Sequence, residues 1–104
     1  MAYKPMIIKK TVTTTGTAER LTDLDIFTPS VVVQAADDNT NGAFVGDSQV
    51  DKTLFNGVEL NARESVTFNA VDPKSGKGLI SLRDIWIDVD TSLDEVIACY
   101  LAEV

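Results

Sequence analysis

The sequence predicts an all-β domain: a single antiparallel β-sandwich of about eight short strands with Greek-key or jelly-roll-like connections. Three observations carry this. Val, Ile and Thr supply thirty of the 104 residues, and β-branched side chains lose rotamer freedom in helices but pack well on a pleated surface. Turn chemistry recurs every ~8–12 residues, the spacing of strand–turn–strand chains. No segment reads as a convincing helix. One sheet alone would leave a face wet, so two packed layers are the natural solution.

The elements follow in order. A first strand covers residues 6–14, opened by Pro5 and closed near Gly16. Residues 18–21 form a short second piece, and residues 22–30 read as a connection in which Pro29 breaks the chain. Residues 31–36 (VVVQAA) are apolar on both faces, which places them centrally in a sheet. Residues 37–42 (DDNTNG) are a turn, because Asn and Asp tolerate left-handed backbone and Gly prefers it. Residues 43–46 return as the partner strand. Residues 50–60 contain the Asn56-Gly57 turn, and residues 64–70 alternate with Val66, Phe68 and Ala70 on one face. After a loop at 72–78 come strands at 79–82 and 85–89, then a turn at 92–94. Residues 95–104 (EVIACYLAEV) form the last strand. It places Val96, Ala98, Tyr100, Ala102 and Val104 on one face, and Ile97, Cys99 and Leu101 on the other. The expected core is Ile8, Val31, Val33, Val45, Leu60, Val66, Phe68, Leu82, Ile85, Ile87, Val96, Ala98 and Tyr100.

Composition excludes several kinds of chemistry. There is no histidine and one cysteine, so Cys/His zinc sites, Ser-His or Cys-His nucleophile pairs and an intrachain disulfide are all ruled out. The net charge of −7 repels a phosphate backbone, so no direct nucleic-acid partner is expected. No stretch approaches the ~18 apolar residues of a membrane helix, and no membrane partner is expected. The opening MAYKPMIIKK lacks a signal-peptide pattern, which implies use without secretion. Cys99, inside an apolar run, reads as a buried thiol in a reducing compartment.

Charge is unevenly spread. Residues 1–20 net +3, through Lys4, Lys9, Lys10 and Arg20 against Glu19, whereas residues 84–104 net −6 with no base. The simplest reading is a basic start and a solvated acidic face. The sharper one is a basic arm that docks on an acidic neighbour.

Three segments invite a site reading, and each has a simpler explanation. Asp37, Asn39, Asn41 and Gly42 match the first half of a calcium loop, but the position that needs Glu is Ser48, so a hairpin turn is the better account. Asp84, Asp88 and Asp90 alternate, with Trp86 beside Asp88 and Asp90, as a cation site or a sugar-binding groove would require. A solvated strand face is the better account of them. Ser75-Gly76-Lys77-Gly78 lacks the first glycine of a phosphate loop, since position 71 is Val71, and reads as a turn. No catalytic, cofactor-binding or metal-binding residue is assigned, and no cofactor is expected.

Four segments together carry a resemblance. They are VVVQAADDNTNGAFVGDSQV (31–50), GVELNARESVTF (57–68), ISLRDIWIDVD (80–90) and EVIACYLAEV (95–104), preceded by TVTTTGTAERLT. In order and spacing this set resembles small structural proteins of tailed bacteriophages, over residues 11–104. The chain departs from that pattern at 51–56 and in the loop 72–78. The resemblance implies a non-enzymatic virion protein, a capsid decoration (cement) protein made in the host cytoplasm and placed on the capsid exterior. It implies the major capsid protein and copies of itself, as a homotrimer, as partners. The alternative is a neck, tail or surface accessory module that binds carbohydrate or a host surface.

On this reading residues 1–10 are an N-terminal arm and the start of the first strand, and residues 11–104 are the sandwich. Partner contact is expected from Tyr3, Lys4, Met6, Lys9 and Lys10 of the arm and from Trp86, with Phe44 and Phe55 as further aromatic candidates. Removing residues 1–9 is expected to leave a folded domain that no longer binds shells.

Overall fold

Alternating burial sorts the strands into two layers. The computed structural model describes residues 2–70 and 79–104. In chain order the strands are β1 (Tyr3–Thr11), β2 (Glu19–Arg20), β3 (Phe27–Thr28), β4 (Ser30–Ala35), β5 (Ala43–Gly46), β6 (Val58–Leu60), β7 (Ser65–Asn69), β8 (Ile80–Ser81), β9 (Trp86–Val89) and β10 (Glu95–Glu103). One 3-10 turn covers Leu82–Asp84. The first sheet has the order β1-β10-β4-β7, the second β2-β9-β5-β6, and β3 pairs with β8 in a small ribbon. All pairings are antiparallel. The all-β sandwich expected from the sequence is therefore what the chain forms.

The core lies between the two four-stranded sheets. Val31, Val33, Val96, Ala98 and Tyr100 come from the first sheet, and Ala43, Val45, Leu60, Ile87 and Val89 from the second. Of the expected core, Ile8, Val66 and Phe68 are only half-buried and pack on its margin. Val12 and Leu21 are buried core residues that alternation within strands does not reveal. Both lie just outside strands and turn inwards, where Leu21 N–H donates to Ile85 O at 2.8 Å.

Several boundaries differ from expectation, each for a local reason. The first strand begins at Tyr3 and ends at Thr11. It stops because the Glu19 carboxylate accepts the Thr13 and Thr14 N–H groups at 3.1 and 3.2 Å, folding that segment into a turn. The connection at 22–30 contains β3. It is held by the buried Thr28 hydroxyl, which is shared between the Ser30 and Leu101 carbonyls and accepts the Leu101 N–H at 3.1 Å. Within 50–60 only β6 is a strand. Asp47 and Asp51 bond the N–H groups two residues on, at 2.9 and 2.8 Å, and such Asx turns compete with a ladder. Gly57 ends this loop at φ 129°, where an added Cβ would sit 2.6 Å from Val50 Cγ2, so only glycine fits.

The arm reading needs correction. Residues 3–11 are not free. They pair with β10 at nine successive positions, from Tyr3 opposite Glu103 to Thr11 opposite Glu95. Ala2 O accepts the Val104 N–H and Val12 N–H donates to Asp94 O, so the even-numbered residues of β1 turn their backbone groups towards β10. The odd-numbered ones face away from it. Pro5 falls among these, where its missing N–H costs no ladder bond, the one place a strand proline is easily borne.

Candidate functional site

Two sheet faces look away from the core, and only some of the expected site residues lie on them. On the second sheet, Arg20 pairs directly with Trp86 across β2 and β9. The guanidinium carbon lies 5.0 Å from the centre of the indole ring, a cation–π stack. Gly46 is the partner of Trp86 on the other side, so the ring has room to lie across the sheet. Arg20 Nε is buried and has no hydrogen-bond partner among the described residues. Lys10, Glu19 and Asp23 line the shallow pocket around the pair.

Lys10 bonds Glu19 at 3.0 Å and so ties β1 to the second sheet. Burial pushes the Glu19 carboxyl up, but the Lys10 ammonium and the Thr14 and Thr13 N–H groups outweigh it, leaving its pKa below the ordinary value. A lowered native pKa adds stability above the unfolded-state pKa, and this is lost as the pH falls through the native value. Thermal scans against pH are expected to show Glu19→Gln flattening the acid limb of the stability curve while lowering stability near neutrality. An unchanged acid limb would contradict this assignment.

The acidic row is not an open groove: Asp84 and Asp90 are exposed as a solvated face requires, but Asp88 is not. Asp88 is fully buried. Its carboxylate accepts the Gly16 N–H at 3.0 Å, the Lys52 N–H at 2.9 Å and the Val89 N–H at 2.9 Å. Asp90 is ion-paired with Lys52 at 3.1 Å. Asp84 lies apart, lining an open cleft with Phe68 and Ile85. Phe44 is buried beneath the exposed Phe55, their rings edge to face at 6.1 Å. Phe44 is therefore not a contact residue.

The calcium-like turn is likewise structural. Asn39 donates to Glu95 O at 2.8 Å and accepts Glu95 N–H at 2.9 Å, imitating a strand partner. The buried Asp94 carboxylate accepts the Thr40 and Asn41 N–H groups, each at 3.1 Å. No group of three or more metal-ligating residues occurs among the described residues. The Ser75–Gly78 segment lies outside them.

The outer face of the first sheet is unusual. A solvated antiparallel face normally carries polar residues at alternate positions. Here Ile7 is opposite Cys99, and Cys99 is opposite Val32, giving an apolar row across three strands. Ile7 is 71% exposed and Val32 37%. Cys99 is exposed, which corrects the buried-thiol expectation. Pro5, Ile97 and Leu101 continue the patch on either side of this row. Lys9 and Glu95 close one end as an ion pair at 3.3 Å, and Glu103 stands at the other.

No protein-family model, curated protein or solved structure matches this chain. Its surfaces carry the functional argument. Of the expected contact residues, Tyr3 and Lys9 border the apolar face. Lys4, Met6 and Lys10 share the opposite side of β1, and Trp86 stands on the other sheet. The structure thus divides the expected set between surfaces. Arg20 was not anticipated, because only the strand register brings it onto Trp86. The patch had a signal in the sequence: the second apolar series of the last strand, Ile97, Cys99 and Leu101.

Proposed function

We propose that this chain is a non-enzymatic virion structural protein, a capsid decoration protein that binds between major capsid subunits on the outside of a phage head. The observation that supports this best is the solvent-facing apolar sheet surface built on β1, β10 and β4. Soluble monomers rarely expose a contiguous apolar patch of that kind unless it meets another surface. The four ordered segments that resemble tailed-phage structural proteins give the reading its specific form. The carbohydrate alternative is less well supported, because Arg20 covers the Trp86 ring and Asp88 is inaccessible.

The mechanism is linkage. A protein that binds only the assembled shell adds its binding free energy to the stability of that assembly. Many copies on one shell multiply the effect without any new chemistry. The test adds purified protein to heads that lack it and measures co-sedimentation and the temperature of head disruption. Saturable binding with a raised disruption temperature is expected. Heads that neither bind the protein nor gain resistance would overturn the proposal.

A further inference from the structure

We infer that the outer face of the β1-β10-β4-β7 sheet packs against the same face of a second copy of this chain. This goes beyond the capsid reading and draws on the same apolar face: it assigns that face to a second copy, so that the unit meeting a shell would be a dimer.

The apolar row Ile7–Cys99–Val32, flanked by Ile97 and Leu101, is self-complementary. Its middle carries no charge that would demand a counter-charge. The charge at one end is already internally neutralised, since Lys9 is bonded to Glu95. Elsewhere a chain of net charge −7 repels its own copies. Of the charges that β1 and β10 place on this face, Lys9 and Glu95 cancel and Glu103 alone remains, so repulsion is weak on this side.

The size is adequate. Strands of nine, nine, six and five residues, rising about 3.4 Å per residue and spaced about 4.8 Å apart, give the sheet roughly 500 Å² of flat face per copy. Two such faces reach the ~1,000 Å² at which specific interfaces begin. Sheet faces stack about 10 Å apart with their side chains interdigitated, the same packing that forms the core of this sandwich. An isologous contact of this kind closes on itself as a dimer, in place of the trimer implied by the resemblance.

The single cysteine sits in the row and reports on it. Sedimentation across the micromolar range is expected to give a reversible dimer. Ile7→Lys is expected to reduce the mass to the 11.3 kDa of one chain. Ile7 is mostly exposed, so the variant is expected to keep the parent circular dichroism. Leu54→Lys, at an equally exposed apolar residue on a loop, is expected to leave the dimer intact. Cys99 is expected to react with a maleimide several-fold more slowly in the parent than in Ile7→Lys. No Cys99–Cys99 disulfide is expected, because a sheet spacing of about 10 Å exceeds what a disulfide spans.

A parent protein that stays monomeric would overturn the inference. So would a trimer, or a dimer whose mass and Cys99 reactivity ignore Ile7→Lys. If Ile7→Lys proves unfolded, Val32→Lys on β4 provides the same test from the neighbouring strand. A monomer that still binds shells would refute this contact and leave the capsid reading standing.

Discussion

Replacing Asp88 with alanine is expected to remove a large part of the stability of this domain. The carboxylate is fully buried, and its acceptors bind the N–H groups of Gly16, Lys52 and Val89. These donors belong to the turn before β2, to the loop between β5 and β6, and to β9 itself. Removing the carboxylate leaves them without this acceptor; the buried Val89 N–H costs about 1–3 kcal/mol, and the part-buried Gly16 and Lys52 N–H groups less each. A total of about 4 kcal/mol or more is a large part of the 5–15 kcal/mol that holds an ordinary domain together. At about 4–8 °C per kcal/mol the melting temperature should drop by roughly 20 °C or more. Asp88→Asn keeps one acceptor oxygen and is expected to fall between the two. Calorimetry of all three proteins decides the matter, and an alanine variant that melts with the parent would show that this carboxylate does not pin the loops.

Deleting residues 1–9 is expected to abolish cooperative unfolding, the reverse of what an independent arm would show. The deletion removes most of β1, which pairs with β10 along its whole length. It uncovers an edge of β10 and takes away Ile8, which packs on the core cluster. A domain of this size has little margin to lose a nine-residue strand. The truncated chain should give a broad thermal transition and poorly protected amides in β10. A sharp melt close to that of the full chain would restore the arm reading.

The layers were legible in the sequence because period-2 alternation is a property of single strands. Val31 and Val33, Ile85 and Ile87, and Val96, Ala98 and Tyr100 alternate and are buried. What single strands do not reveal is who sits beside whom. Arg20 reaches Trp86 only through the register of β2 on β9. Asp88 reads as an outward carboxylate by alternation, and so it is. It becomes buried only because the loop from Asp47 to Gly57 and the turn at Gly16 fold over that face. Residues 31–36 were correctly placed in the interior of a sheet, yet an inner strand need not be covered on both sides. Val32 remains exposed for that reason, as does Cys99 on the neighbouring strand. The same series of apolar residues therefore announced the patch and disguised it as core.

Pro5, on the outward edge of β1, has a consequence for growth. A sheet lengthens sideways without limit when each new strand leaves a fresh template behind it, and that is the route to fibres. Here the template is defective at its first step, since the rung at Pro5 has no proton to offer. Copies can be stacked like two tiles, but along this border they cannot be threaded into a ribbon. The protein can therefore be crowded at high local concentration and still form countable units.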